Sequence, residues 1–290
     1  MTADHLDPST DDVLTRGLSG VGNARVLTLD PRFQGLPETA HGGTVLALFD
    51  AVTREDGGRA ARSVAGIYRR RVPLATPLQL TIDRDASATR LRLSDDTTTL
   101  VEGTVTPFED RQAATSAATL CALARRTHET LLPLSSTCFA CGTDNTLGLR
   151  VRLTIDDDLV GGVWNPSDRF RVGDTLAPIA VTTLLDEAAF WLGAAASGES
   201  GMTTDLRVQL HRAMPFGPIS IAGARAHVRQ ADDPRYWTTE ITAWDVSDGL
   251  VARASITFVA VRGSARKLVT GLLAMNEPTI LRRIFPQYMR

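Results

Sequence analysis

His41-Gly42-Gly43-Thr44-Val45-Leu46-Ala47-Leu48-Phe49-Asp50 and Ala177-Pro178-Ile179-Ala180-Val181-Thr182-Thr183-Leu184-Leu185-Asp186 align position by position, each reaching an acid nine residues after its first residue. The chain therefore carries two copies of one unit. In the first copy Val45, Leu46, Leu48, Phe49 and Val52 recur at helical spacing, which predicts a helix over 42–54 with a wide apolar face. In the second copy Pro178 suits a first helical turn, where its missing N–H costs nothing, and the predicted helix spans about 178–193. Both copies keep the acid. Only the first keeps the His-Gly-Gly lead.

Working outward, the first helix follows a short strand at 25–29 and a loop through Phe33-Gln34-Gly35-Leu36-Pro37. After Gly57-Gly58 come extended segments at 63–68, 78–82, 89–93 and 99–105, several alternating apolar and polar residues. The second copy repeats the order, with strands expected at 149–153 and 160–164 before its helix and at 203–212, 218–229, 236–245 and 250–261 after it. Arg71-Val72-Pro73 and Ala213-Met214-Pro215 correspond, each ahead of a strand. One helix packed on a run of antiparallel strands is an α+β unit. The expected division is a flexible lead-in over 1–20, a first unit over 21–125, a linker over 126–137 within a partly helical connector over 111–136, a second unit over 138–265 and a tail over 266–290. Ile280-Leu281-Arg282-Arg283-Ile284-Phe285 in the tail reads as a short amphipathic segment.

Composition narrows the function classes. A chain of 290 residues suits two ordinary domains, and 43% hydrophobic with 22% charged residues is ample for a core. A net charge of −2 argues against nucleic-acid binding. No apolar run approaches a bilayer span, and the acidic, polar N-terminus does not fit a secretory signal. Three cysteines give no disulfide framework, so the expected setting is cytoplasmic. Cys138-x-x-Cys141 has no second pair and no histidine at zinc spacing, so it reads as a structural segment with no metal assigned. His128, His211 and His227 have no partner pattern.

The lead loop, the His-Gly-Gly, the spaced helix acid and the following strands together resemble the hotdog-fold acyl-thioester hydrolases of the phenylacetyl-CoA thioesterase and thioesterase-superfamily-member type. The residues are Gly35, His41, Gly42, Gly43 and Asp50 in the first copy. In the second they are Cys138-Phe139-Ala140-Cys141-Gly142-Thr143-Asp144-Asn145 with Gly148-Leu149, then Asp186-Glu187, then Thr203-Thr204-Asp205-Leu206 with Arg212, Pro215 and Gly217. The resemblance covers roughly 25–125 and 138–262. It implies a double hotdog, two units fused to imitate the usual dimer, acting on an acyl-CoA or acyl-carrier-protein thioester without a cofactor, as a monomeric pseudo-dimer or a homodimer.

Thioester hydrolysis builds negative charge on the carbonyl oxygen, and the N–H groups and dipole of a helix N-terminus oppose it. Glycine at 42 and 43 lets substrate approach that backbone closely. A carboxylate is needed as nucleophile or as general base. Nine helical residues span about 13 Å, so Asp50 does not easily serve its own helix start. The resemblance implies sites across the two units: His41, Gly42 and Gly43 with Asp186 and Glu187 in one, Asp50 with Ala177-Pro178-Ile179 in the other. The second is doubtful, because proline supplies no N–H. Thr203 or Thr204 is placed to orient water or substrate. Arg70 and Arg71, in the run from Arg69, read either as a solvated strand end or as partners for coenzyme A phosphates. The alternatives are a dehydratase or other biosynthetic enzyme on a thioester, and a non-catalytic acyl or small-ligand binder.

Overall fold

The computed structural model describes residues 8–54, 61–108, 117–126 and 130–289. The expected Gly57-Gly58 turn and His128 lie outside them. The first unit comprises helix α1 (Thr10–Arg16), strands β1 (Leu18–Ser19) and β2 (Ala24–Leu27), helix α2 (Gly42–Arg54), then β3 (Arg62–Tyr68), β4 (Leu78–Arg84), β5 (Thr89–Ser94) and β6 (Thr99–Pro107). Helix α3 (Ala117–Ala124) follows in the connecting stretch. The second unit comprises β7 (Thr154–Ile155), β8 (Leu159–Trp164), β9 (Arg171–Val172), β10 (Thr175–Leu176), α4 (Pro178–Ser197), β11 (Gly201–Leu210), β12 (Ile219–Ala224), β13 (Arg229–Gln230), β14 (Tyr236–Trp244) and β15 (Leu250–Ala260). Two terminal helices, α5 (Ala265–Leu272) and α6 (Pro278–Ile284), complete the order.

One antiparallel sheet runs β1-β2-β4-β5-β6-β3-β11-β15-β14-β12-β8-β7. Its strands alternate as read: on β4, Leu78, Leu80 and Ile82 are buried while Gln79, Thr81 and Asp83 face outward. At the centre β3 pairs with β11, from Asp205 opposite Ile67 to Leu210 opposite Arg62. These are the strands that follow the two helices, so the order reads outward symmetrically from this seam. The copies also match bond for bond. His41 N–H donates to Phe33 O and Ala177 N–H to Phe170 O, both at 2.8 Å, and Ala40 N–H to Val72 O and Leu176 N–H to Met214 O, both at 2.9 Å. The isolated bridges Thr39 to Pro73 and Thr175 to Pro215 are equivalent too.

Several expectations meet a different structure, among them the strand expected over 218–229, which ends at Ala224 before a short turn and β13. Residues 149–153 form no strand: Arg150 sits at φ +53°, and Leu149 and Val151 bond instead to the Phe139 and Ala140 carbonyls. Helix α4 continues past 193 until Gly198, at φ +70°, caps it. The lead-in is ordered over α1, which Ser9 caps and which buries Val13 and Leu14. Finally, α4 is long and apolar enough to cross a membrane by length and composition, but 83% of that window is buried inside the fold. It is a core helix, and four of its buried residues, Thr182, Thr183, Asp186 and Glu187, are polar.

Candidate active site

Helices α2 and α4 cross at the start of α2, and the two glycines allow it. A Cβ on Gly43 would stand 2.5 Å from Thr182 O and 2.6 Å from Thr183 Cα. A Cβ on Gly42 would stand 2.7 Å from Asp186 Oδ2. Thr182 Oγ1 bonds back to Gly43 O at 2.7 Å, tying the crossing together. The contact delivers the Asp186 carboxylate to the α2 N-terminus, where Gly43 N–H donates to Oδ2 at 2.9 Å. That end is where free N–H groups and the helix dipole favour an anion. The Thr203 hydroxyl donates to Oδ1 at 2.7 Å. Asp186 is thus held by donors from both units, with both oxygens accepting.

His41 lies between two carboxylates. Its Nδ1 is 3.2 Å from Asp186 Oδ2 and its Nε2 3.5 Å from Glu187 Oε2. Burial opposes a charge on the ring, but the bond to Glu187 and the charge of Asp186 outweigh it and raise the His41 pKa to about 9. Burial likewise works against a charged Glu187, and His41 overcomes it, holding this carboxyl below its usual value. Trp191 Nε1 donates to Glu187 Oε1 at 2.9 Å, one helical turn on. Tyr68 donates its hydroxyl to Gly42 O at 2.6 Å, and its own ionisation is suppressed by burial and by Asp186.

These groups open onto a cavity of about 140 Å³. His41, Asp186, Glu187 and Thr203 lie on its polar side, Phe190, Trp191, Leu268 and Leu272 on its apolar side, and Arg70 and Arg71 also line it. Thr204, expected beside Thr203, turns away and bonds to Thr257 O at 3.3 Å. A bulge between Thr203 and Asp205 in the β11–β15 pairing separates the two threonines. Arg69 is tied to Glu102 at 2.6 Å.

Asp50 does not join this site. It is fully buried, chelated by the Arg62 guanidinium and 3.1 Å from Arg54 Nε. The other end of the helix pair has Leu210 where the first has Tyr68, and Ala177 where the first has His41. The cavity there is lined by Arg54, Arg62, Pro178 and Arg212. The Asp50 carboxylate, expected in the second of the two sites, is thus held by arginine, apart from the Asp186 cavity.

Four residues of the site were not foreseen: Tyr68, Trp191, Cys138 and Cys141, all lining the cavity. Trp191 was legible at i+4 from Glu187. The cysteines were noted but set aside for want of a histidine, and His41 supplies one through space, 97 positions away. The Cys141 thiol donates toward Cys138, lowering the pKa of Cys138 against burial while that of Cys141 rises.

No protein-family model matches the chain, and no curated protein matches it by sequence. Solved structures do. An acyl-CoA thioesterase II from Mycobacterium marinum aligns over 89% of this chain and 100% of its own, at 13% identity and TM-score 0.57. A hotdog-fold protein from Alicyclobacillus acidocaldarius covers 87% and 97%, at 13% identity and TM-score 0.54. The dehydratase domain of PpsC from Mycobacterium tuberculosis, in complex with C12:1-CoA, covers 82% and 94%, at 14% identity and TM-score 0.54. The chain has the double hotdog fold.

Proposed function

We propose that the chain hydrolyses acyl thioesters, with acyl-CoA as the substrate class, at the single composite site built on Asp186. The observation that carries this reading is a buried carboxylate from one unit held at the helix N-terminus of the other, lining a mainly apolar cavity. Asp186 acts as general base. It takes a proton from a water that attacks the thioester carbon, while the α2 N-terminus stabilises the charge growing on the carbonyl oxygen. Collapse of the adduct expels the thiolate, which leaves as free thiol with the proton gained by Asp186. His41 and Thr203 hold the carboxylate in place, and Arg70 and Arg71 meet the coenzyme phosphates outside the reacting centre. The likeness in fold to the Mycobacterium marinum acyl-CoA thioesterase II supports the substrate class.

The His41–Asp186 contact favours a second reading, a dehydratase or hydratase, since such chemistry needs a histidine beside an acid, and the PpsC dehydratase domain has the same fold. Against it, both His41 nitrogens face carboxylates and the ring holds its proton to about pH 9, which suits a positioning cation better than a base. Thiol release from a panel of acyl-CoAs tests the hydrolase, with Asp186→Asn and Asp50→Asn beside the wild type. Turnover lost in Asp186→Asn and kept in folded Asp50→Asn supports it. Hydration of an enoyl-CoA without thiol release would transfer the assignment to the second reading.

A further inference from the structure

Beside Asp186 lies a cluster in which hydrolysis uses His41 alone, through its other ring nitrogen. His41, Cys138 and Glu187 are all buried, and their ligand-type atoms lie within 4.8 Å of one another. Cys141 touches both Cys138 and Glu187 through its thiol. We propose that His41 Nε2, Cys138 Sγ and Glu187 Oε2 form a three-residue binding site for a zinc-type divalent transition metal, with the fourth position left to water. The inference stands on the geometry of the cluster and does not depend on the hydrolase reading.

Three features separate this cluster from a chance gathering. First, Zn–N and Zn–O bonds at a tetrahedral angle place their two ligand atoms about 3.4 Å apart. His41 Nε2 and Glu187 Oε2 are 3.5 Å apart, at the outer limit of a hydrogen bond and right for a shared ion. Second, the donors are mixed sulfur, nitrogen and oxygen, a set that suits zinc and excludes magnesium or calcium, which demand oxygen shells. Third, each of the three already has an outer partner fixing its direction. Asp186 faces His41 Nδ1, Trp191 Nε1 holds the other oxygen of Glu187, and Ala140 N–H donates to Cys138 Sγ at 3.3 Å. A carboxylate behind a ligating histidine and a donor behind a ligating carboxylate are what metal sites require of their surroundings. The tight turn closed by Gly142 N–H on Cys138 O at 2.9 Å brings the two cysteines to one side of the cluster.

The test uses the full chain, reduced, without a histidine tag. Titration with Co²⁺ is read by sulfur-to-cobalt charge-transfer absorption and by the visible bands of a tetrahedral ion. Competition with Zn²⁺ against a chromogenic chelator then gives affinity. The expected result is one equivalent bound with a thiolate signature. Cys138→Ala should abolish that signature and weaken Zn²⁺ binding by roughly 100-fold or more, and Trp191→Phe should weaken it by about 10- to 100-fold. Cys121→Ser, remote from the cluster and bonded to Asp248, should change nothing. Should Cys138→Ala not fold, alkylation of the wild type decides: Zn²⁺ must protect the Cys138 thiol and leave the labelling of Cys121 unchanged. No charge-transfer band, or equal labelling with and without Zn²⁺, overturns the proposal. None of these readouts involves turnover, so they are separable from any failure of the hydrolase assay.

Discussion

At Asp186 both carboxylate oxygens accept hydrogen bonds, one from a backbone N–H and one from a hydroxyl, so the group is fixed before any substrate arrives. Asp186→Asn keeps the shape and removes the base, and turnover of the preferred acyl-CoA should fall by ~10²–10⁴-fold with little change in Tm. Asp50 should behave in the opposite way. It is buried with Arg62 closing over it, so Asp50→Asn removes a buried charge-assisted pair and should cost about 1.5–3 kcal/mol in urea unfolding while the folded protein keeps its kcat. His41 ties stability to pH. Its pKa is raised from 6.5 to about 9 on folding, so its contribution is complete below pH 6.5 and is lost as the pH climbs through 9. Glu187 is lowered from 4.5, so its contribution is present above that value and fades as the pH falls below it. Tm measured against pH should therefore fall between 7 and 10, and His41→Gln should flatten that limb.

The helices make the site by coming unusually close, and the glycines at the head of α2 are the means. Gly43→Ala forces a methyl group against the Thr182 carbonyl and the Thr183 backbone, neither of which has a free end to swing away. The expected loss is about 1–3 kcal/mol by chemical denaturation, with activity lost alongside because the Gly43–Asp186 bond goes with the crossing. Gly271, at an exposed position of α5 with nothing near its missing Cβ, is the matched control, and Gly271→Ala should be neutral or slightly stabilising. Strand β11 adds its own device. The bulge at Thr204 lets Thr203 aim at Asp186 while Thr204 bonds within the sheet. Without that extra residue, strict alternation would govern which of the two faces the helix.

Over the whole molecule, the β3–β11 seam joins the two units into one sheet and one core, and the tail is part of it. Leu272 and Ile280, Leu281, Ile284 and Phe285 are buried, so the last helices close the fold and do not trail from it. Leu268 and Leu272 of α5 line the cavity, whose volume of about 140 Å³ is near that of an apolar cavity of about 150 Å³ that accepts benzene. Short and aromatic acyl-CoAs should therefore be turned over faster than palmitoyl-CoA. Leu272→Ala should shift that preference toward longer chains at a cost of about 2–5 kcal/mol in stability, with kcat/KM across the chain-length series as the measurement.

Much of this architecture was legible in the chain because it rests on local periodicity. The apolar spacing of Val45, Leu46, Leu48, Phe49 and Val52 places α2 correctly to the residue, and the alternation on β4 to β6 places the strands. The repeat, with its acid nine residues along each copy, implied the double unit. Local pattern misled where a tertiary bond replaced it. Leu149-Arg150-Val151 looks extended, yet its amides go to the Cys138 loop, which no window of sequence contains. The same limit applies to the site. His41, Gly42, Gly43, Asp186, Glu187 and Thr203 could each be read as candidates from the chain alone. The pairing of Gly43 with Asp186 spans 143 positions and exists only because β3 and β11 join antiparallel and bring the two helices across each other. Packing of α2 beside β3 within the first unit sets Arg62 against Asp50, and the loop at Cys138 brings its thiol beside His41. Helix and strand follow from the order of side chains along a few turns; charge neutralisation and metal-like clustering depend on separation in space, which the packed core alone sets.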